Sequence, residues 1–445
     1  MTIDFPNRRM KSILKGLLES GLQAADPKVA IRKALQRKGR MLQVGTRRYD
    51  LSKFNRVICV GAGKASGNMA QAVEQQLGKW LQGGVVVVKE GEECRTGTIQ
   101  IRQAGHPTPD KRSSRAGKEI LSLIHSLTRD DLLLVILSGG ASSLLVAPVQ
   151  PIKLADKQKM TRLLVKSGAN INEVNAVRKH LSAIKGGRLA EASSASIIGL
   201  LLSDVIGNEV STIGSGPTVA DPSTYQDAWR ILDSYDLLKR IPQAVRIHLQ
   251  QGLKGKVPDT PKPGNRVFRR THNHILGDNH LAVEALAKKA KGLGLQSLIL
   301  TTSVTGEARE IGKRVGAFAK EMHFSERPSR YPACLIWGGE LTVTVRGAGK
   351  GGRAQEFALS AAQEIAGLPN VFVAGFGTDG TDGPTEVAGA VVDGHTVARG
   401  KLYQMDPAKI LFWNDSYSFF KKVGGHIITG PTGTNVNDIY LVLAL

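Results

Sequence analysis

Residues 55–78 read NRVICVGAGKASGNMAQAVEQQLG, and this stretch decides the fold class of the chain. Its first six residues are mostly apolar, a glycine-rich turn follows, and the remainder has the apolar spacing of a helix. This order predicts a β-strand, a tight loop and an α-helix. The same order recurs at residues 131–143 (DLLLVILSGGASS) and from residue 197, where IIGLLL leads into SDVIGNE.

Strands that are apolar on both faces and are separated by helices indicate a parallel sheet covered on both sides. A chain of 445 residues is too long for one ordinary core. We therefore expect two α/β domains with the active site in the cleft between them. Residues 1–260 would form a larger, doubly wound, Rossmann-like domain that starts with a helical pair. Residues 261–445 would form a smaller domain with a mixed sheet. The boundary would lie within an exposed linker rich in Pro, Gly and Lys at 252–266.

The composition excludes several classes of protein. The net charge is +22, from 60 Lys and Arg against 38 Asp and Glu, but the basic residues are dispersed and no aromatic-interleaved basic motif occurs. This favours a solvated basic surface over specific nucleic-acid binding. No apolar stretch approaches the roughly 18 residues of a membrane span, and no signal peptide is evident, so we expect a soluble, cytoplasmic protein without a membrane partner.

The loop after the first strand carries Gly61, Gly63 and Lys64. Backbone N–H groups at the start of a helix attract phosphate, and a lysine there is unfavourable unless an anion is bound. We therefore expect Lys64 to contact a phosphate or a carboxylate. The alternative is that the glycines only allow close packing and that the lysine bends outward to solvent.

The second strand-to-helix turn offers hydroxyl and amide groups from Ser138, Gly139, Gly140, Ser142 and Ser143. These groups can bind ligand oxygens, although helix capping explains the hydroxyl groups nearly as well. Two such loops at the carboxyl ends of parallel strands could share one crevice.

Further candidates follow in the same half of the chain. Lys185 and Arg188 flank a glycine pair after a helical segment and could bind an anion, or simply favour a helix C-terminus. Asp204 follows the strand IIGLLL, where a carboxylate can accept a proton from a hydroxyl group or cap a turn. His106 lies in the rigid GHPTPD turn and could contact substrate.

The C-terminal half holds the densest glycine loop, GAGKGGRAQE at residues 347–356. Gly351 and Gly352 could bind phosphate there. Arg353 is a candidate for stabilising a transferring phosphoryl group, because its guanidinium is planar and permanently charged. Glu340 follows a glycine pair and is a candidate substrate contact.

Asp379 and Asp382 lie three residues apart in the loop GTDGTDG. Paired carboxylates suit Mg²⁺, so both are candidate metal ligands. The alternative is an Asp-Gly turn held by local hydrogen bonds.

Together, nine motifs in this order resemble the glycerate 2-kinase family from end to end, and the C-terminal part of the chain resembles the MOFRL domain of that family. The motifs are GAGKASGNMA, GHPTPD, LSGGASSLL, NAVRKHLSAIKGGRLA, SDVIGNEVSTIGSGPT, GDN, GGE, GKGGRAQE and GTDGTDGP. The resemblance implies transfer of the γ-phosphoryl group of ATP to the 2-hydroxyl of D-glycerate, with Mg²⁺ and with functional roles for Lys64 and Arg353. One departure is Asn208, where the family is expected to favour Asp.

Alternatives stay open at this point. Some members of the family are labelled hydroxypyruvate reductase, and an NAD(P)H-dependent reductase would need an acid on the ribose, for which Glu90 is a candidate. A non-catalytic sensor of a sugar phosphate or nucleotide would use the same loops. The sequence leaves open phosphorylation at C2 against C3, and whether the protein is a homodimer.

Overall fold

The computed structural model describes all 445 residues. The strands are β1 (Thr2–Ile3), β2 (Leu35–Lys38), β3 (Met41–Val44), β4 (Arg47–Asp50), β5 (Arg56–Ala62), β6 (Gly83–Lys89), β7 (Gln100–Ala104), β8 (Asp131–Leu137), β9 (Ser196–Leu202), β10 (Thr271–Gly277), β11 (Gln296–Glu307), β12 (Ala333–Thr342), β13 (Val371–Gly377), β14 (Gly389–Asp393), β15 (His426–Ile428) and β16 (Asp438–Ala444). The helices are α1 (Arg8–Ala24), α2 (Pro27–Ala34), α3 (Ser66–Leu77), α4 (Lys111–His125), α5 (Ala141–Leu144), α6 (Leu154–Lys166), α7 (Ile171–His180), α8 (Arg188–Ala192), α9 (Tyr225–Ser234), α10 (Gln243–Leu253), α11 (Asn279–Gly292), α12 (Ala308–Ser325), α13 (Arg353–Glu364), α14 (Thr396–Leu402), α15 (Pro407–Phe412) and α16 (Ser416–Val423).

The chain forms two compact units, which differ from the predicted division into 1–260 and 261–445. Residues Pro27–Leu276 form one unit, here called the parallel-sheet unit, and Met1–Asp26 together with Gly277–Leu445 form the other, here called the mixed-sheet unit. The N-terminal residues belong to the mixed-sheet unit because β1 pairs with β15 and α1 packs against α11. The predicted linker does not mark the boundary either. It is largely exposed, but Thr260 is buried, and its hydroxyl donates to Asp221 at 3.0 Å within the parallel-sheet unit.

In the parallel-sheet unit the main sheet has the strand order β10-β9-β8-β5-β6-β7. The pairs from β7 through β9 are parallel, which confirms the predicted parallel sheet. Every residue of β8 is buried, as a central strand covered on both faces requires. The chain runs from β5 toward one edge through β6 and β7, and then from β8 toward the other edge. In an open α/β sheet, ligands bind outside the carboxyl ends of the strands at such a reversal.

In the mixed-sheet unit the strand order is β1-β15-β14-β13-β16-β12-β11. Strands β11 and β12 are parallel. The pairs β12–β16, β16–β13, β13–β14 and β14–β15 are antiparallel, which confirms the predicted mixed sheet. Asp438 begins β16 and lies opposite Gly339 of β12 and Gly377 of β13. The loops that follow β12 and β13 therefore start at the same end of the sheet as Asp438.

The surface carries much of the positive charge. A small antiparallel sheet of β2, β3 and β4 exposes the basic side chains of Arg37, Lys38, Arg47 and Arg48. Elsewhere exposed cations pair with acids, as Arg102 does with Glu119 at 2.8 Å. None of the helices combines the length and the apolar composition that a membrane span requires.

Candidate functional site

The loops that follow β5 and β8 are joined by hydrogen bonds. The backbone N–H of Lys64 donates to the carbonyl of Gly139 at 2.8 Å, and that of Ala65 donates to the hydroxyl of Ser138 at 3.0 Å. The N–H of Gly63 donates to the carbonyl of Val87 at 3.1 Å. These amides are therefore engaged within the protein, and the phosphate-binding nest predicted around Gly63 is not formed by them.

The glycines of the first loop allow close packing. A Cβ atom on Gly61 would lie 2.0 Å from the carbonyl oxygen of Ile136, and one on Gly63 would lie 2.1 Å from Oγ of Ser138. Gly63 also has a φ of 144°, a backbone conformation that residues with a side chain rarely adopt. Gly61, Gly63 and Ser138 thus hold the two loops together, which is the packing alternative that the sequence left open.

A third loop, which carries His106, approaches the second loop at Gly140. A Cβ atom on Gly140 would lie 2.9 Å from Nε2 of His106 and 3.3 Å from Cγ of Lys64. Burial, with the positive charges of Lys64 and Lys89, lowers the pKa of His106 to about 4. His106 is therefore neutral at pH 7, and it lies close to the side chain of Lys64.

A cavity of ≈ 170 Å³ adjoins these residues in the parallel-sheet unit. Its polar lining contains three cations, the hydroxyl groups of two serines and one threonine, and one histidine, and no carboxylate. The lining residues are His106, Pro107, Pro109, Gly140, Ser142, Ser143, Val146, Lys157, Thr161, Arg178 and Lys185. An anion is the ligand that this lining favours.

The cations of the cavity lack counter-charges in the protein. Lys185 is fully buried, and its Nζ donates to the carbonyl of Gly214 at 3.1 Å. Lys157 is 6% exposed, and its Nζ has no hydrogen-bond partner. Burial, followed by repulsion from Arg178, lowers the pKa of Lys157 to about 7. Burial and the charges of Lys157 and Arg178 lower the pKa of Lys185 well below its usual value.

The cavity contains some of the predicted residues and not others. Lys185, Ser142 and Ser143 line it, whereas Arg188 does not. Arg188 instead donates from Nη2 to the carbonyl of Pro258 at 3.0 Å, because α8 begins at this residue and directs it toward the segment before β10. Lys157 was not predicted. In the sequence it is one of several lysines on an amphipathic helix, and only its burial distinguishes it.

We expect Lys157→Met to stabilise the ligand-free protein by about 2–4 kcal/mol at pH 6–7, because it removes a buried, unpaired charge. The folded-state pKa of about 7 is below the unfolded value of 10.5, so the wild type is penalised fully below pH 7 and progressively less toward pH 10.5. Urea unfolding from pH 6 to pH 10 should therefore show a difference between variant and wild type that shrinks as pH rises. A difference that does not change with pH would contradict the buried-charge interpretation.

In the mixed-sheet unit Arg353 is held between two carboxylates. Its Nη1 lies 2.5 Å from Glu340, and its Nε and Nη2 lie 2.5 Å and 3.0 Å from the two oxygens of Asp438. Asp438 is 2% exposed and also accepts a hydrogen bond from the hydroxyl of Tyr440 at 2.7 Å. Burial raises the pKa of Asp438 to about 7, and Arg353 opposes this rise. Arg353 retains 32% side-chain exposure, so its fork is fixed in place and still open to solvent.

The glycine loop before Arg353 packs against other parts of the same unit. A Cβ atom on Gly351 would lie 2.2 Å from Oγ of Ser416, and one on Gly352 would lie 2.3 Å from Cγ of Asp382. These close approaches explain why glycine occupies both positions. Phosphate binding by Gly351 and Gly352 stays a prediction.

The carboxylate of Asp382 has a structural role, which competes with the role of metal ligand predicted for it. Its carboxylate accepts hydrogen bonds from the N–H groups of Ala354 and Gln355 at 3.0 and 2.9 Å, and from Nε2 of Gln355 at 3.0 Å. It thereby caps the N-terminus of α13. Asp379 accepts from the N–H and the hydroxyl of Thr381, both at 3.1 Å. No group of three or more His, Cys, Asp or Glu residues in the structure has the spacing of a metal centre.

Replacing Asp382 by Ala should lower the free energy of unfolding by about 2 kcal/mol, because α13 loses its cap and two backbone N–H groups lose their acceptor. The Mg²⁺ concentration that gives half-maximal activity should not change. Chemical denaturation and a Mg²⁺ titration of activity check the two parts. A higher Mg²⁺ requirement with unchanged stability would restore Asp382 as a metal ligand.

The chain matches two family models and several known proteins. Residues 13–250 match a domain of unknown function (DUF4147), and residues 333–438 match the MOFRL family. Glycerate 2-kinase of Pyrococcus horikoshii is 41% identical over 428 residues, covering 96% of each protein. D-glycerate 2-kinase of Thermotoga maritima is 40% identical over 441 residues, covering 99% of each. The crystal structure of glycerate kinase from Thermotoga maritima matches with a TM-score of 0.87 at 39% identity, covering 99% of this chain and 100% of that one.

Proposed function

The chain belongs to the glycerate 2-kinase family, and we propose that it transfers the γ-phosphoryl group of ATP to the 2-hydroxyl of D-glycerate, giving 2-phosphoglycerate and ADP. The observation that carries the proposal is the cationic cavity beside Lys64, at the reversal of the parallel sheet. Both substrates are anions, and a site that gathers uncompensated cations is suited to them.

Lys64 and Arg353 neutralise charge on the transferring phosphoryl group in this proposal. Phosphoryl transfer depends mainly on positioning and on charge stabilisation. Lys64 is half-buried and lies beside Gly140 and His106. Arg353 presents a guanidinium whose orientation Asp438 and Glu340 determine. Arginine suits this role because it stays charged at every accessible pH.

The reaction forms a bond between the 2-hydroxyl oxygen and the γ-phosphorus and breaks the bond from that phosphorus to the oxygen that bridges it to the β-phosphorus. The hydroxyl proton must leave, and Asp204 is the proposed acceptor. Asp204 is half-buried and follows β9, whose carboxyl end lies beside that of β8. A carboxylate at this edge can receive a proton from a hydroxyl group.

We propose that a Mg²⁺ ion accompanying ATP would be held by few protein ligands, with Asp379 as the candidate. Mg²⁺ commonly keeps several waters and uses one or two carboxylates together with substrate phosphates. Asp379 fits such a contact because it lies half-buried in the loop after β13, at the end of the sheet that holds Asp438. When bound, the ion would neutralise charge on the phosphate oxygens.

The reductase alternative has less support. The acid that it needs on the ribose, Glu90, has both oxygens paired with Arg112, at 2.7 and 2.8 Å. Two relatives that are named as glycerate 2-kinases match this chain over nearly their whole length. We propose the cytoplasm, where ATP is available, as the location of the protein.

The deciding experiment supplies purified protein with D-glycerate and Mg²⁺-ATP and resolves the products by phosphorus NMR. The expected product is 2-phosphoglycerate, which distinguishes C2 from C3 transfer directly. A parallel reaction contains hydroxypyruvate and NADH. NADH oxidation without phosphoglycerate formation would overturn the proposal.

A further inference from the structure

We propose that the cationic cavity of the parallel-sheet unit is the carboxylate pocket for the hydroxy acid, with Lys157 and Arg178 as specificity-determining residues beside Lys185. The inference rests on the proposed kinase function and assigns the cavity to one of the two anionic substrates. It rests on the charge, the burial and the size of the cavity.

Of three buried lysines in this region, Lys179 forms an ion pair with a carboxylate, whereas Lys157 and Lys185 do not. Lys179, on α7, is buried and forms an ion pair with the fully buried Asp221 at 3.2 Å. Lys157 and Lys185 face the cavity, and the lining provides no carboxylate for either. A buried charge without a partner is strongly destabilising. The difference indicates that Lys157 and Lys185 receive their counter-charge from a ligand.

The size of the cavity selects the smaller substrate. Its volume is ≈ 170 Å³, whereas pockets for ligands as large as drug molecules and cofactors span roughly 300–1,000 Å³. An acid of three carbon atoms fits this space, and a nucleoside triphosphate does not. The rigid Pro107 and Pro109 form part of the wall, which suits a site for one small ligand.

The residues of the lining match the parts of a short hydroxy acid. Arg178 provides a planar fork of N–H donors, the geometry that a carboxylate accepts. Its Nε also contacts the hydroxyl of Thr161 at 3.4 Å, which helps to orient the fork. The hydroxyl groups of Ser142 and Ser143 can hydrogen-bond with the hydroxyl groups of the acid.

The position of Gly140 suggests how the bound acid is oriented in the cavity. Gly140 lines the cavity and lies against the stem of Lys64 and the ring of His106. An acid with its carboxylate among Lys157, Arg178 and Lys185 can direct its 2-hydroxyl toward Gly140 and thus toward Lys64. The carboxylate pocket would then position the oxygen that attacks the phosphorus.

The test combines kinetics with ligand-induced thermal shifts on the full chain. Lys157→Met and Arg178→Gln are compared with Lys159→Met, an exposed lysine on the same helix that serves as the control. Each cavity variant should raise KM for D-glycerate by about 10- to 100-fold, because a charged hydrogen bond is lost, and leave KM for ATP within about 2-fold. The control should match the wild type.

Thermal shifts without nucleotide use three probes at equal millimolar concentration: D-glycerate, glycerol and inorganic phosphate. D-glycerate should raise the Tm of the wild type and of Lys159→Met, but not that of Lys157→Met, and glycerol should raise none. A rise in KM for ATP instead of D-glycerate, or a larger Tm shift with phosphate than with D-glycerate, would assign the cavity to phosphate and overturn the proposal. Unchanged kinetics in both cavity variants would also overturn it.

The two proposals fail in different ways. If the wild type forms no phosphoglycerate but D-glycerate still raises its Tm through Lys157, the kinase function is wrong and the carboxylate pocket stands. If phosphoglycerate forms at the wild-type KM in both cavity variants, the function stands and the pocket lies elsewhere. Because Lys157→Met is expected to stabilise the ligand-free fold, loss of substrate binding in that variant cannot be ascribed to unfolding.

Discussion

Arg353→Ala is expected to lower kcat by about 10³-fold or more. An arginine that meets a transferring phosphoryl group contributes roughly 10³ to 10⁵ in rate, because it places permanent charge where charge develops. Stopped assays of phosphoglycerate formation at saturating ATP and D-glycerate measure the loss.

The same substitution also disturbs the fold, and the two effects can be separated. Without Arg353 the buried carboxylate of Asp438 loses its ion pair, at a cost of about 3–5 kcal/mol. The double variant Arg353→Ala/Asp438→Asn removes that charge and should recover most of the stability while remaining inactive. Arg353→Lys keeps a cation but loses the fork, so it should unfold near the wild-type midpoint and still lose about 10²-fold in kcat. If the double variant recovers activity together with stability, Arg353 acts only in folding.

Lys64→Met should lower kcat/KM by about 10²- to 10³-fold, the range for losing one preorganised electrostatic contact to developing charge. The fold should be retained, because Lys64 is tied to Gly139 through its backbone N–H, which the substitution keeps. Steady-state kinetics with both substrates varied would measure the loss.

An independent readout locates the charge of Lys64. The charges of Lys64 and Lys89 add to burial in lowering the pKa of His106 to about 4. Lys64→Met should therefore raise the pKa of His106, which proton NMR can follow. Lys89→Met, which removes an exposed lysine with a smaller influence on His106, is the control and should leave turnover unchanged. A normal turnover rate in Lys64→Met, with the expected NMR shift, would show that the charge is near His106 but unused in catalysis.

Much of the fold could be predicted because its signals are local. The apolar strands β5, β8 and β9 are each followed by a glycine or serine turn, and this order identified the parallel sheet. The domain boundaries could not be predicted in the same way. Residues 1–26 join the mixed-sheet unit through the pairing of β1 with β15, more than 400 positions away, and no local pattern reports such a contact.

The roles of the glycine loops could not be predicted from the sequence either. Glycine is used both where a phosphate approaches the backbone and where another chain segment does, and the sequence looks alike in the two cases. In this protein Gly61, Gly63, Gly351 and Gly352 accommodate protein atoms. Similarly, an aspartate before a helix can bind a metal or cap the helix, and Asp382 is a cap.

The sequence by itself determined the α/β class, the family resemblance and the cationic side chains that phosphate chemistry requires, because these depend on residue type and on spacing along the chain. Only the tertiary structure decided which cations matter for the cavity. Lys157 and Lys159 are two residues apart on one helix, yet Lys157 lines the cavity and Lys159 is exposed to solvent. Burial without a counter-charge distinguishes Lys157 as the proposed ligand-binding group. Burial is a property of the packed chain rather than of the residue.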